Sequence, residues 1–246
     1  MSEQSVSVYI DYKSPYAYLS IEPIWTLERD YDIALDWRPY TLDIPEYLGS
    51  AKVDDDGAVV EQNRSERQWR RVRYSYMDVR RYANLRGLTV RGPQKIWDSS
   101  LAGIGILYAK NQGAFRAYNA IVYERFWRRE LDIEDAAVIA AVLDEIGAEG
   151  AGFSAYAAGE GRALHDRIRA EAEDAGVFGV PTVVLDGEMF FGREHVSLIR
   201  LSLPDKGLAR PGVTAPTDGA YAWRPDAPGW GARRAIPPFA LLHATC

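Results

Sequence analysis

The 246-residue sequence predicts an α/β domain interrupted by a long helical insertion. Three observations predict it. A strand, a helix and a second strand are indicated over residues 6–37, and two strands followed by a helix over residues 182–203. Between these segments, apolar residues recur at every third or fourth position, which is typical of helices. Both ends of the chain are therefore expected to contribute strands to one sheet.

The first segment is predicted to be a β-α-β unit. Apolar and polar residues alternate over 6–10 and again over 33–37, the pattern of strands. Between them, Ser14 followed by Pro15 is a helix start, because a serine oxygen accepts free backbone N–H groups and proline fits the first helical position. The helix is expected to end near Arg29. A single helical crossover favours parallel pairing of the two strands.

The middle of the chain is predicted to be helical after a turn-rich, acidic segment over residues 41–60. Apolar residues at helical spacing run from Trp69 to Ala83, and Gly87 is a suitable terminator for that helix. Asp132 is the predicted N-cap of the fourth helix of this block, and Gly147 and Gly176 are predicted to end the fourth and fifth. The four further helices are predicted at Ser100–Lys110, Tyr118–Trp127, Glu134–Ile146 and Gly161–Ala175.

The second β-containing segment is predicted to be a hairpin followed by a helix. Thr182–Leu185 and Glu188–Phe191 are the expected strands, and Asp186-Gly187 the turn between them. A helix over about Arg193 to Leu203 follows. The order β-α-β, helices, β-β-α is that of a thioredoxin-like fold with an insertion.

The predicted domain boundaries follow from this order. Residues 1–45 and 176–203 form the thioredoxin-like domain, residues 46–175 an all-helical insertion, and residues 204–246 an irregular C-terminal tail. Seven of the 13 prolines lie in the tail, together with Trp223 and Trp230.

Composition excludes several functions. A net charge of −6 and a pI near 5.2 argue against nucleic-acid binding, which needs clustered positive charge. No apolar run is long enough for a membrane span and no secretory signal is evident, so the protein is expected to be soluble and cytoplasmic.

The single cysteine, Cys246, excludes an internal disulfide or a Cys-x-x-Cys pair. The three histidines are isolated in the sequence, so no metal site is expected.

Ser14 is the predicted catalytic residue. It lies at the N-terminus of the first helix, where partial positive charge and unpaired N–H groups favour an anion such as a thiolate. Its hydroxyl can donate to a bound sulfur and cannot form a disulfide. The alternative is that Ser14 only caps the helix.

Three motifs resemble one known family. They are Asp11-Tyr12-Lys13-Ser14-Pro15-Tyr16-Ala17-Tyr18-Leu19, Gly176-Val177-Phe178-Gly179-Val180-Pro181-Thr182 and Phe190-Phe191-Gly192. They resemble the branch of the DsbA-like family that contains 2-hydroxychromene-2-carboxylate isomerases and kappa-class glutathione transferases. The resemblance extends from about Val6 to Leu203.

The resemblance implies a glutathione cofactor and a set of residues to hold it. The glutathione sulfur would lie at Ser14 and its cysteinyl backbone against Val180, which precedes a cis Pro181. Its γ-glutamyl group would be held after the Phe190-Phe191-Gly192 turn, at Arg193 and Glu194. At this site Glu194 retains the carboxylate of the family pattern, whereas Arg193 and the following His195 depart from it.

Candidate substrate-binding residues surround the same turn. Tyr12 and Lys13 directly precede Ser14, and Lys13 is either a second cation for a thiolate or substrate carboxylate, or a lysine on an exposed loop. A basic helical segment from Arg64 to Arg86 is either an attractor for an anionic aromatic substrate or a solvated face paired with acids such as Glu66. Aromatic residues of the insertion either wall a flat pocket or pack in the core. These aromatic residues are Trp69, Tyr76, Trp97, Tyr118, Tyr123, Phe126 and Trp127.

The leading functional hypothesis is a glutathione-dependent isomerase that acts on an aromatic or unsaturated carboxylate. A kappa-type transferase or peroxidase is the near alternative. A third hypothesis is a non-catalytic thioredoxin-fold binding protein, for which the altered 193–195 segment is an argument. The expected partner is a small-molecule substrate, with neither nucleic acid nor membrane and a possible homodimer.

Overall fold

A computed structural model describes residues 4–213, with the exception of residue 55. Most of the predicted tail, including Trp223 and Trp230, lies outside the described residues. The strands are β1 (Gln4–Ile10), β2 (Ile33–Pro39), β3 (Ala51–Val53), β4 (Val59–Gln62), β5 (Thr182–Leu185) and β6 (Glu188–Phe191). The helices are α1 (Pro15–Asp30), α2 (Ile44–Leu48), α3 (Glu66–Leu85), α4 (Ser100–Asn111), α5 (Phe115–Arg128), α6 (Ala136–Glu145), α7 (Phe153–Ala158), α8 (Glu160–Asp174) and α9 (Val196–Asp205).

The central sheet joins both ends of the described chain, as predicted. Its strand order is β2-β1-β5-β6, with β1 parallel to β2 and antiparallel to β5. Val8 pairs with Trp37 on one side and with Val183 on the other, and its side chain is completely buried. The predicted thioredoxin-like fold is therefore confirmed.

Helix α1 begins where the Ser-Pro pair predicts. The Ser14 hydroxyl oxygen accepts the backbone N–H of Ala17 at 3.2 Å, and Pro15 is the first helical residue. The helix buries Leu19, Ile24 and further apolar residues in the core. It thereby fixes the Ser14 end relative to the sheet.

The insertion is largely helical, but it is not all-helical as predicted. Strands β3 and β4 form an antiparallel hairpin within the segment predicted as turns. The sequence conceals it because the strands are short and β4 is exposed along its length, so no alternation between buried and polar residues arises. The short helices α2 and α7 were also not predicted.

Helix boundaries in the insertion agree with the predicted terminators and differ at one cap. Gly87, Gly147 and Gly176 all have positive φ angles, as residues that follow helix ends commonly do. The predicted N-cap Asp132 is wrong: Asp135 caps α6, and its carboxylate accepts the N–H groups of Ala137 and Val138. The Asp132 carboxylate instead accepts the N–H of Glu134 at 2.9 Å.

The last helix is longer than predicted. A turn of 3₁₀ helix at Arg193–His195 leads into α9, which continues past Leu203 to Asp205. Ala209 then forms a bridge with Tyr31. The first residues assigned to the tail are therefore attached to the domain. Over the described residues, no helix is long and apolar enough to cross a membrane.

Candidate functional site

A cavity of about 960 Å³ opens at the N-terminus of α1. Its walls come from both parts of the molecule. The thioredoxin-like part contributes residues 13–16 and 178–180, together with Leu42 and Phe191. The remaining lining comes from α2, β3, much of the surface of α3 and the segment 92–97. The predicted catalytic residue and the predicted aromatic and basic helix therefore meet in one place.

Ser14 lies in the wall of this cavity with its side chain largely buried. Its hydroxyl points to the carbonyl oxygen of Val180 at 3.4 Å, which is longer than an ordinary O–H···O hydrogen bond and therefore a weak contact. Pro15 has no N–H, and Ser14 itself satisfies the N–H of Ala17. Among the described residues, the N–H of Tyr16 has no partner, so it remains at the helix mouth for a ligand.

The segment opposite Ser14 has the predicted backbone. The peptide bond between Val180 and Pro181 is cis. The carbonyl of Pro181 accepts the N–H of Gly192 at 2.9 Å, which fixes the segment beside β6. Within the described part of the chain, the N–H of Val180 makes no hydrogen bond. An extended ligand passing Val180 would therefore find an available donor.

Asp11 organises the turn that presents Ser14, a role that the sequence analysis did not assign. Its carboxylate is buried and accepts the backbone N–H groups of Leu42 at 2.8 Å and Lys13 at 3.0 Å. Its carbonyl oxygen accepts the N–H of Ser14 and the hydroxyl of Tyr123. The aspartate stands directly after a strand and three residues before a helix cap, and this position was the available sequence signal.

Lys13 is a cavity residue and not a lysine on an exposed loop. Its side chain is only 7% exposed, and the Nζ lies 3.7 Å from the Asp11 carboxylate. The same Nζ donates to the carbonyl of Trp97 at 3.3 Å. The cation is therefore held at the cavity wall beside Ser14.

Tyr12 does not line the cavity, contrary to its assignment as a substrate-binding residue. Its side chain points into the core, where its ring lies 4.6 Å from that of Tyr123 and 6.1 Å from that of Tyr118. Tyr12 and Lys13 lie in the turn between β1 and α1, where Lys13 lines the cavity and Tyr12 packs in the core. Burial, together with these two tyrosines and Asp11, raises the pKa of Tyr12 well above its ordinary value.

Arg193 and Glu194, the predicted γ-glutamyl site, lie outside the cavity lining. The Arg193 guanidinium lies 3.5 Å from the Asp78 carboxylate and 3.7 Å from the ring centroid of Tyr82. Glu194 is exposed, and its carboxylate lies against Gly192. In this arrangement Arg193 links α3 to the start of the last helix, and its guanidinium lies 5.8 Å from the ring centroid of Tyr16, which lines the cavity.

The basic segment divides into two groups. Arg67, Arg70, Arg81 and Arg86 do not line the cavity, and Arg70 and Arg86 pair with Glu66 and Glu22. Four other arginines do line it, and none of the four pairs with a carboxylate in the described part of the chain. These are Arg64, Arg71, Arg73 and Arg80.

Two of these cavity arginines are anchored by backbone carbonyls. Arg64 donates to Leu48 at 3.0 Å, and Arg80 donates to Val90 at 3.1 Å. Burial lowers the pKa of Arg64 from its ordinary value. Arg71 and Arg73 are exposed at the cavity and make no such bonds to the described residues. Among the described residues, Glu46 contributes the only carboxylate to the lining, so the cavity favours an anionic ligand.

The predicted aromatic residues also fall into two groups, those that line the cavity and those that pack in the core. Trp69, Tyr76 and Trp97 line the cavity, whereas Tyr118, Tyr123, Phe126 and Trp127 are buried away from it. Four aromatic residues that the sequence analysis did not assign to the wall complete it: Tyr16, Tyr47, Phe178 and Phe191. The cavity therefore combines flat apolar surfaces with cations. Across residues 4–54 and 56–213, no cluster of histidine and acidic side chains is arranged to hold a metal ion.

Comparison with known families identifies the fold. A model of the DSBA-like thioredoxin domain matches residues 5–203. The chain belongs to this family. The match begins in β1 and ends in α9, so this DSBA-like domain includes the insertion as well as both halves of the sheet.

Two curated relatives of this DSBA-like protein have the same name. A 2-hydroxychromene-2-carboxylate isomerase from Sphingobium xenophagum is 24% identical over 205 residues, covering 82% of this chain and 99% of the relative. Another, from Pseudomonas putida, is 24% identical over 199 residues, covering 80% and 93%.

Solved structures agree on the fold. A 2-hydroxychromene-2-carboxylate isomerase superposes with a TM-score of 0.64 at 21% identity, covering 82% of this chain and 96% of that one. A probable DsbA oxidoreductase from Streptomyces coelicolor gives a TM-score of 0.62 at 19% identity, covering 86% and 93%. At these identities the similarity supports the fold alone.

Proposed function

We propose that this protein is a glutathione-dependent isomerase that acts on an aromatic or unsaturated carboxylate. One observation carries the proposal: the Ser14 hydroxyl lies at the mouth of α1, opposite the cis Val180–Pro181 bond, in the wall of a cavity lined by aromatic rings and arginines. The isomerase names of the relatives support the same assignment.

The residues at the Ser14 end fit a thiol with an extended peptide backbone. Two backbone N–H groups, those of Tyr16 and Val180, have no partner among the described residues and would donate hydrogen bonds to the ligand. The Ser14 hydroxyl would also donate to the ligand once it leaves its long contact with the Val180 carbonyl. The carboxylates of glutathione would meet the cationic wall formed by the α3 arginines. When bound, glutathione supplies a nucleophilic sulfur that can add reversibly to a conjugated carbon.

The contribution of the chain is to favour the thiolate and to orient it. The N-terminus of α1 provides partial positive charge, Ser14 provides a hydrogen-bond donor, and Lys13 adds a cation whose charge is partly balanced by the Asp11 carboxylate. A lowering of the thiol pKa by about two units would correspond to about 2.7 kcal/mol of preference for the thiolate. Asp11 holds both Lys13 and Ser14 in place through its carboxylate and carbonyl oxygens.

The remaining walls would position the substrate. Trp69, Tyr76 and Trp97 offer flat surfaces for rings or conjugated chains. Arg71 and Arg73, which pair with no carboxylate among the described residues, offer cations for a substrate carboxylate. Burial raises the pKa of Tyr76 above its ordinary value, so its hydroxyl stays protonated and able to donate a hydrogen bond. Holding the conjugated carbon beside the Ser14 end would supply the proximity that the reaction needs.

The direct test is product analysis with purified protein and 2-hydroxychromene-2-carboxylate, with and without glutathione. The proposal predicts a product of unchanged mass whose formation requires glutathione. A product heavier by one glutathione would favour the kappa-type transferase instead. Absence of turnover together with absence of glutathione binding at millimolar concentration would contradict the proposal and favour a binding protein.

A further inference from the structure

A second cavity of about 280 Å³ lies beside the main one. Its lining includes Phe126 and Leu131, which do not line the main cavity. The two cavities share two lining residues, Pro93 and Trp97. These two side chains therefore form the common wall between the cavities.

The backbone of this wall is fixed from several sides. The carbonyl of Gly92 accepts a hydrogen bond from the Arg129 Nε at 2.7 Å, and the carbonyl of Gln94 accepts one from the N–H of Val53 at 2.8 Å. At the other end of the segment, the carbonyl of Trp97 accepts a hydrogen bond from the Lys13 Nζ at 3.3 Å. None of these bonds involves the indole ring. Removal of the ring should therefore leave the segment in place.

The Trp97 ring is held on two sides. The Lys95 Nζ lies 4.3 Å from its centroid, and the Phe126 ring meets it edge-on at 6.1 Å. Phe126, Leu131 and Pro93 give the second cavity an apolar part next to the indole, and Arg129, Glu130 and Asp132 form its charged part. A ligand that passed the position of Trp97 would meet this surface.

We infer that Trp97 is a specificity-determining residue that limits the length of the aromatic ligand. The inference rests on the proposed function for the class of ligand, an aromatic carboxylate. Binding sites for one small molecule commonly have volumes of about 300–1,000 Å³. A main cavity of about 960 Å³ that holds glutathione as well has room for a compact substrate, and Trp97 closes the way to a further 280 Å³.

The inference is tested by titration calorimetry with two fluorescent acids, 2-naphthoate and 4-(1-pyrenyl)butyrate, each with and without glutathione. Native protein should prefer 2-naphthoate. Trp97→Ala should tighten the pyrene acid relative to 2-naphthoate by about tenfold, because the added rings then leave water. Trp97→Leu should shift the same ratio in the same direction, and it provides the answer if the alanine variant does not fold.

Two variants serve as controls. Trp97→Phe retains a ring in the wall and should keep the native preference. Leu131→Ala enlarges only the second cavity, so the pyrene acid should remain excluded. An unchanged ratio in a folded Trp97→Leu protein, an equal shift in Leu131→Ala, or the absence of binding of either acid to every variant would overturn the inference.

Failure of the role assigned to Trp97 can be distinguished from failure of the proposed function. If the ratio shifts in a protein that has no glutathione-dependent turnover, Trp97 limits ligand length and the isomerase proposal fails. If turnover requires glutathione but the ratio does not shift, only the role of Trp97 fails.

Discussion

The carboxylate of Asp11 accepts the backbone N–H of Leu42 at 2.8 Å, which joins the end of β1 to the segment that follows β2. The same carboxylate accepts the N–H of Lys13 and lies 3.7 Å from its Nζ. One buried side chain therefore fixes the turn that presents both Lys13 and Ser14 to the cavity.

Asp11→Asn should destabilise the protein and misplace the site. The amide retains one acceptor oxygen but brings a donor to face a second N–H group, and it removes the counter-charge of Lys13. We expect urea denaturation to report a loss of about 2 kcal/mol in the free energy of unfolding.

Glu66→Gln is the matched control for Asp11→Asn. It breaks an exposed pair with Arg70 and should cost less than about 0.5 kcal/mol. Equal effects of the two substitutions would show that the Asp11 carboxylate has no special structural role.

Replacement of Arg71 and Arg73 together by glutamine should weaken binding of the anionic ligand. Both side chains line the cavity without a carboxylate partner in the described part of the chain. We expect about a thirtyfold rise in KM or in the Kd for 2-naphthoate, with little change in kcat, because each of the two lost charge-assisted contacts costs about 1 kcal/mol.

The matched control for that pair is Arg67→Gln with Arg81→Gln, which removes two charges of the same helix that do not line the cavity. This double variant should bind as the native protein does. If both double variants weakened binding equally, the effect would belong to net charge and the cavity assignment of Arg71 and Arg73 would be wrong.

His165 should make stability depend on pH in a defined range. Its Nε2 lies 2.9 Å from the Thr41 hydroxyl and its Nδ1 2.9 Å from the Asp166 carboxylate. Burial lowers the pKa of His165 from 6.5, with Arg162 and Arg169 acting in the same direction and Asp166 opposing. As the pH is lowered, His165 therefore binds a proton in the unfolded chain at a higher pH than in the folded chain. The free energy of unfolding should fall as the pH drops below about 6.5.

Urea denaturation of native protein and His165→Gln across this range checks the prediction. The native free energy of unfolding should fall by at most about 1.4 kcal/mol per pH unit from this residue, and the variant should lose that slope. Partial burial opposes ionisation of Asp36, but Lys110 and Arg38 lower its pKa below 3.8, so its contribution lies at lower pH. A slope that persists in His165→Gln would assign the effect to other groups.

The sequence predicts the elements whose local chemistry is strong. Ser14-Pro15 marks the start of α1, and Asp186-Gly187 forms the turn between β5 and β6, with both residues at positive φ. The hairpin of β3 and β4 depends instead on tertiary contacts, such as the hydrogen bond from the Val53 N–H to the Gln94 carbonyl, a residue 41 positions further along the chain. No local pattern encodes such a contact.

The same distinction applies to the site. Ser14 was predictable because the cap and the family motifs coincide at one residue. The division of the α3 arginines was not, because the helix exposes basic residues on more than one face and only its contacts with α1 and α2 determine which face meets the cavity. For Arg193 the family motif was not sufficient, because Asp78 and Tyr82 hold the guanidinium in a position that the motif does not indicate.

The central claim is that the Ser14 end of α1 stabilises a bound thiolate. Ser14→Ala should lose activity yet remain folded, with a stability cost of about 1 kcal/mol for the lost cap. Ser65→Ala removes a comparable cap from α3 without touching the cavity, so it should show a similar stability loss and normal activity.

The most direct measurement is a pH titration of the ultraviolet thiolate absorbance of glutathione bound to native protein and to Ser14→Ala. The account predicts a midpoint for the native complex about two units below that of a free thiol, and a rise toward the free value in Ser14→Ala. Identical midpoints in the two proteins would contradict it.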